Sequence, residues 1–163
     1  MLSKADIQPD VFELIRQKKY DEECKGQVIC VLTFLPNIYE SNAVERNAYK
    51  DQILKVAKNN RSQPMVFFWL QSGDQMDLER KLNLGFGYPA VVAISPNKQV
   101  FATMRRSFDY TNVNEFLVKV ITGSAPVDKI PGGVVEIKKA DAWDGKDAAP
   151  IIEEPEEEME EEL

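Results

Sequence analysis

Residues 88–105 read YPAVVAISPNKQVFATMR, and this stretch decides the fold of the chain. The apolar run over 88–94, opened by Pro89, predicts a strand that is buried on both faces. Turn residues follow at 95–98, and a second strand is predicted over 99–105. Because the turn is so short, we expect the two strands to form an antiparallel hairpin.

The segments around this hairpin alternate between strand and helix patterns. Further buried strands are predicted over 27–35 and 65–70, and helices over 9–20, 41–58, 74–82 and 111–121. This order predicts a mixed sheet of four to five strands flanked by helices, in the α/β class.

After Gly123 the composition changes, and we expect three regions. Residues 1–124 are predicted to form one domain, and residues 125–150, which contain Pro126, Pro131 and Pro150, a mostly irregular extension. Trp143 is expected to dock back on the domain, because leaving its large apolar surface in water is costly. Residues 151–163 contain eight Glu and neither Lys nor Arg. Such a segment buries almost nothing and repels itself, so we expect a disordered acidic tail.

Composition excludes several classes of function. The 163 residues include no His and two Cys, which excludes Ser-His-Asp and Cys-His catalysis and an all-cysteine zinc site. The net charge is −7, and the eight Glu of the tail account for all of it. The remainder is nearly neutral and has no basic face, so we expect no nucleic-acid partner.

The longest apolar runs fall far short of the roughly 18 residues that span a bilayer, so we expect no membrane segment. The first six residues lack an apolar signal core and, taken alone, predict a cytosolic chain.

The loop at Leu84–Val91, LGFGYPAV, resembles the loop before the third core strand of the thioredoxin family. In that family the loop proline is cis and faces the active site, and Pro89 takes its place here. The resemblance implies a thioredoxin fold. Thioredoxin-like oxidoreductases carry Cys-x-x-Cys at the start of the long helix, where this chain has Ile38 and Ser41. Ile38 cannot act as a nucleophile, and Ser41 is expected to cap the helix, so the module is expected to be redox-inactive.

A more extensive resemblance, over roughly residues 8–147, is to the third domain of the protein disulfide-isomerase A6 family. It rests on Cys24…Cys30-Val31…Leu35-Pro36, Arg46-Asn47…Tyr49, Gly85–Ala90, Asn114–Leu117 and Trp143–Gly145. That family has two catalytic domains, an inactive third domain and an acidic tail that ends in a retention signal. The resemblance implies a location in the endoplasmic-reticulum lumen, a role in oxidative protein folding, and unfolded or disulfide-containing clients or a resident chaperone as partners. The final Glu-Leu matches the retention signal, whereas the two preceding Glu residues do not.

The resemblance also places candidate site residues. It implies that Ile38, Tyr39, Phe86, Tyr88 and Pro89 lie together where the active relatives hold substrate. They would either hold unfolded polypeptide or pack as ordinary apolar loop residues. The chain alone is then expected to be inactive as an enzyme, although the longer relatives are disulfide isomerases.

The two cysteines leave three alternatives open. Cys24 and Cys30 would be about 20 Å apart in an extended chain, beyond the reach of a disulfide. A bend at Gly26 would close this gap and allow a structural disulfide. In the second alternative, Cys30 is a core residue of a strand and Cys24 is a free thiol. In the third, the two cysteines are the redox-active pair of a thiol-disulfide oxidoreductase.

The tail offers the remaining candidate site. Carboxylates suit Ca²⁺, so weak calcium binding is a hypothesis for the tail residues Glu156, Glu157, Glu158, Glu160, Glu161 and Glu162. No other cofactor is expected. The alternatives are a tail that only adds solubility, or a structural spacer whose tail buffers calcium.

Overall fold

The computed structural model of the chain describes residues 9–150, which form a six-stranded mixed sheet between two layers of helices. The strands are β1 Val11–Glu13, β2 Ile29–Leu35, β3 Met65–Gln71, β4 Ala90–Ser95, β5 Val100–Thr103 and β6 Asp128–Lys129, in the spatial order β1-β3-β2-β4-β5-β6. The helices are α1 Gln17–Glu23, α2 Ala43–Asn59, α3 Met76–Lys81 and α4 Tyr110–Ile121. Short 3₁₀ helices cover Ile38–Glu40 and Pro131–Gly133.

The central strands are buried on both faces because their side chains alternate between two cores. Leu32 and Phe34 of β2 point into a core beneath α1 and α3, whereas Val31 and Leu35 point toward α2 and α4. β2 pairs with β3 in parallel and with β4 antiparallel. The antiparallel β4–β5 hairpin and the predicted central elements are confirmed, with ends that differ by at most two residues.

The prediction of a helix over 9–20 is wrong. Val11–Glu13 forms β1, which pairs in parallel with β3, and the helix α1 begins at Gln17. The apolar spacing of this segment suits either structure, and the free edge of β3 decides between them. With β6 on the opposite edge, the sheet has six strands instead of the predicted four to five.

The extension after α4 packs along the domain. Ile130, Val135 and Ile137 are buried in the core beneath α1 and α3. We call residues 134–149 the strap, because they continue from this core past β1 to α2 on the opposite face. Residues 151–163, with the predicted disorder of the tail, lie outside the described residues. Within 9–150, no helix combines the length and the apolar character needed to cross a membrane.

The strap is held by side-chain amides in place of a neighbouring strand. The Gln17 side chain donates to the carbonyl of Val135 (3.1 Å) and accepts from the N–H of Ile137 (2.6 Å). Gln75, 2% exposed, binds the N–H and the carbonyl of Lys138 at 2.8 and 2.7 Å. Each amide therefore satisfies one backbone donor and one acceptor that would otherwise lack a protein partner.

Candidate functional site

The five predicted site residues lie on two loops at one end of the sheet. Phe34, next to the end of β2, pairs with Ala90, the first residue of β4. The loop after β2, with Ile38 and Tyr39, therefore leaves the sheet beside the loop that carries Phe86, Tyr88 and Pro89. Tyr39 is 65% exposed and Phe86 is 49% exposed, while Ile38, Tyr88 and Pro89 are half-buried. The Tyr88–Pro89 peptide bond is cis.

Hydrogen bonds from side chains of α2 and β3 and from Asn37 fix the backbone of the loop at residues 36–40. Arg46, on α2, is 1% exposed and donates to the carbonyl of Pro36 and to Oε1 of Gln71, both at 2.8 Å. The same Gln71 oxygen accepts the N–H of Ile38 at 3.1 Å. Asn37 accepts from the N–H of Tyr39 and donates to the carbonyl of Ser72. Tyr39 thus projects into solvent from a loop whose backbone is fixed.

The second loop is held in a similar way. The Tyr88 hydroxyl donates to Oε1 of Glu79 at 2.6 Å, and Glu79 also accepts the N–H of Gly73. Burial, reinforced by the Glu79 carboxylate, raises the pKa of Tyr88 to about 12, so this phenol stays neutral at physiological pH. The guanidinium of Arg105 lies 4.9 Å from the centroid of the Phe86 ring, within range of a cation–π contact.

The start of α2 differs from the prediction that Ser41 caps it. Asn42 is the N-cap, and its side chain accepts the N–H of Glu45 at 2.8 Å. Ser41 lies one residue too early to reach that amide, and its hydroxyl is buried without a protein partner. Ile38 lies in the 3₁₀ helix that precedes α2.

A cavity of about 260 Å³ lies beside the first loop, and the sequence did not predict its second wall. Ile38 and Tyr39 form one part of its lining, and strap residues 141–144 and 146–149 form a second part. The remaining three predicted site residues, Phe86, Tyr88 and Pro89, do not line this cavity. The site therefore consists of two neighbouring parts.

Trp143 anchors the strap at this cavity, in line with its predicted docking. Its ring meets that of Trp69 edge to face, with centroids 6.2 Å apart, and lies 5.1 Å from the guanidinium of Arg46. Both oxygens of Glu13 accept the N–H of Trp143. Burial raises the pKa of Glu13, and these hydrogen bonds partly offset that effect. The sequence signals at this position were a lone Trp in a polar segment and the motif at 143–145, and neither identified the partners of Trp143.

The cysteines lie at the other end of β2. Cys24 and Cys30 form a disulfide with Cα atoms 6.0 Å apart, and the chain turns back at Gly26, whose φ is +74°. Cys30 is fully buried and Cys24 is 7% exposed. Leu35 lies five residues after Cys30 along β2, so the disulfide is roughly 16 Å from the start of the loop that carries Tyr39.

The site thus presents apolar side chains and hydrogen-bonded loops but no thiol. Among residues 9–150, no group of three or more Asp, Glu, Cys or His side chains is arranged to hold a metal ion. The six tail glutamates considered for calcium lie outside the described residues. What the arrangement offers chemically is a pair of exposed aromatic side chains, Tyr39 and Phe86, on two hydrogen-bonded loops.

Comparisons with known proteins identify the family of the chain. A family model described as "PDIA6-like, C-terminal thioredoxin-like domain" matches residues 2–125. Protein disulfide-isomerase 2-3 of Arabidopsis thaliana is 38% identical over 149 residues, which are 90% of this chain and 33% of that protein. Protein disulfide-isomerase A6 of Homo sapiens is 33% identical over 147 residues, 89% of this chain and 33% of that protein. The chain therefore spans about a third of these curated relatives.

Solved structures support the fold. The bb fragment of ERp72 superposes with a TM-score of 0.55 at 16% identity, covering 68% of this chain and 49% of that one. Chloroplastic thioredoxin z superposes with a TM-score of 0.50 at 12% identity, covering 70% of this chain and 97% of that one. Identities this low show the thioredoxin fold alone. The family match and the relatives above show the family: the chain belongs to the PDIA6-like C-terminal thioredoxin-like domain family of protein disulfide isomerases.

Proposed function

We propose that this chain is a redox-inactive thioredoxin-fold module that binds unfolded or disulfide-containing client proteins for a protein disulfide isomerase. The observation that carries the proposal is the exposure of Tyr39 and Phe86 on two neighbouring, hydrogen-bonded loops. Large apolar side chains held out into water on fixed backbones are costly unless a partner covers them. Because the loops are already ordered, binding requires little further loss of loop entropy.

The setting follows from the family. The relatives are about three times as long as this chain, and the thiol-disulfide exchange of a disulfide isomerase needs cysteine pairs that this site lacks. We therefore propose that the module supplies client binding, or contact with a chaperone, and positions the catalytic domains of a longer protein. The proposed compartment is the endoplasmic-reticulum lumen, where oxidative folding takes place.

Replacing both exposed aromatics with Ser (Y39S/F86S) is expected to weaken client binding about tenfold, because roughly 1.4 kcal/mol of apolar contact is lost. The measurement is fluorescence anisotropy of a labelled, reduced and unfolded polypeptide titrated with the full chain. The control V118S/V127S removes two apolar side chains of similar exposure (56% and 57%) that lie outside both loops. Equal weakening by both double variants, or no binding by the wild type, would contradict the proposed site.

For the acidic tail we propose weak calcium binding. Clustered carboxylates without the ligand spacing of an EF-hand loop give affinities in the millimolar range or weaker. Calorimetric titration of the full chain with Ca²⁺ is expected to show heat that disappears when the six glutamates at 156–158 and 160–162 are replaced with Gln. Heat that persists in this variant would contradict the assignment of calcium to these six glutamates.

A further inference from the structure

The strap and the 36–40 loop line the same cavity, although the matched family model ends at residue 125. We infer that strap residues 141–149 complete the client-binding surface, as its second wall and as the support that keeps the 36–40 loop in place. The inference rests on the proposed function and adds a second wall to that same surface. Two separate sets of contacts carry it.

The first set fixes the wall itself. At one end, the carboxylate of Glu13 on β1 holds the N–H of Trp143 at 3.0 Å. At the other end, Oδ1 of Asp147 accepts the N–H of Ala43, in the first turn of α2, at 2.6 Å. Between these points the Trp143 indole N–H donates to the carbonyl of Lys146 at 2.9 Å, which closes the segment on itself. The wall is therefore attached to two elements of the domain and has an internal bond.

The second set connects the wall to the loop. Trp143 packs beside the guanidinium of Arg46, which lies 5.1 Å from the Trp143 ring and 5.3 Å from the Trp69 ring. Arg46 in turn holds Pro36 and Gln71, and Gln71 holds the N–H of Ile38. Removing the indole would admit water to the guanidinium, and that water would compete for bonds that now fix the loop. Trp143 and Arg46 are positioning residues in this arrangement.

The cavity also indicates which client segment fits. Its volume of about 260 Å³ holds one or two side chains of an extended chain but no folded element. Five carboxylates (Glu13, Asp74, Asp141, Asp144 and Asp147) and two cations (Arg46 and Lys146) line it, and Tyr39 lies at its side. The occupant we infer is an extended segment of an unfolded polypeptide with a basic residue next to an apolar one.

The test compares two substitutions in the strap, each of which shortens one side chain. Trp143→Ala removes the contact with Arg46, whereas Val135→Ala removes a buried side chain from the first half of the strap, which packs in the opposite core. The readouts are hydrogen exchange of the Ile38 amide and the affinity for a labelled unfolded peptide with a Lys next to a Leu. A matched peptide with Glu in place of Lys reports the charge preference. Both variants are measured at the same interval below their own melting temperatures.

We expect Trp143→Ala to speed exchange at Ile38 about tenfold and to weaken the Lys peptide about fivefold, with Trp143→Phe in between. Val135→Ala is expected to change neither, and the Glu peptide to bind more weakly than the Lys peptide. Unchanged exchange at Ile38 in Trp143→Ala would overturn the support role, and equal peptide affinities would overturn the assigned occupant. If the wild type binds neither peptide, the proposed function fails and the wall with it, while exchange at Ile38 still decides whether the strap supports the loop.

Discussion

Replacing Arg46 with Leu (R46L) is expected to lower the free energy of unfolding by about 3 kcal/mol, since hydrogen bonds from a buried charged group contribute about 1.5–3 kcal/mol each. The variant loses the bonds from Arg46 to the Pro36 carbonyl and to Gln71. It also loses the cation–π contacts with two tryptophans. Leu matches the apolar surroundings but leaves the Pro36 carbonyl without its donor. Urea unfolding followed by tryptophan fluorescence measures the change.

The matched control for this variant is R106L, which removes the same charge from the surface. Arg106 pairs with Glu115, and both side chains are more than half exposed, so the expected loss is about 1 kcal/mol or less. If R46L destabilised the chain no more than R106L, the hydrogen bonds and ring contacts of Arg46 would not contribute to the stability of the fold. The link we infer between the strap and the 36–40 loop would then lose its basis.

Local patterns in the sequence predicted the centre of the fold. The sequences of β2, β3 and β4 are nearly continuous apolar runs, without alternation between apolar and polar residues. Such runs are typical of strands that are covered on both faces. The hairpin could be predicted because its turn residues lie within the same short stretch. In contrast, the apolar spacing around Val11–Glu13 suits either a helix or a strand, and pairing with β3 makes it a strand. Tertiary contacts overrode the local spacing there.

For the site as well, local motifs could be predicted from the sequence and contacts between distant residues could not. Its five predicted residues came from the resemblance of two loops to known motifs, and the structure places both loops at one end of the sheet. The strap could not be predicted in this way, because Glu13 and Trp143 are 130 residues apart and no local pattern links them. Gln17 and Gln75 also gave no signal, since an amide that binds a distant backbone has the composition of any surface Gln.

The two cysteines illustrate a limit of spacing arguments. An extended chain separates Cys24 from Cys30 too far for a disulfide, and the sequence alone left three alternatives open. The turn at Gly26 brings their Cα atoms to 6.0 Å. The bond connects the end of α1 to the start of β2, so it also fixes the helix whose Gln17 holds the strap.

Replacing both cysteines with Ala (C24A/C30A) is expected to lower the free energy of unfolding by about 2–3 kcal/mol. A crosslink over so short a loop contributes roughly 2 kcal/mol by restricting the unfolded chain, and the lost packing of two buried sulfurs adds to this. Urea unfolding under non-reducing conditions measures the difference. Wild-type protein unfolded in the presence of a phosphine reductant is the control, and it is expected to show most of the same loss.

The same pair of proteins separates a structural disulfide from a catalytic one. A catalytic disulfide must admit an attacking thiolate, and the near-complete burial of both sulfur-bearing residues prevents this approach in the folded chain. We therefore expect oxidation of a dithiol peptide by the wild type to stay at the background rate, the same as with C24A/C30A. Oxidation well above background that disappears in C24A/C30A would show an oxidoreductase that uses Cys24 and Cys30, and would refute the redox-inactive role. A stability loss without any change in oxidation would leave the disulfide as a clamp on α1 and, through Gln17, on the strap.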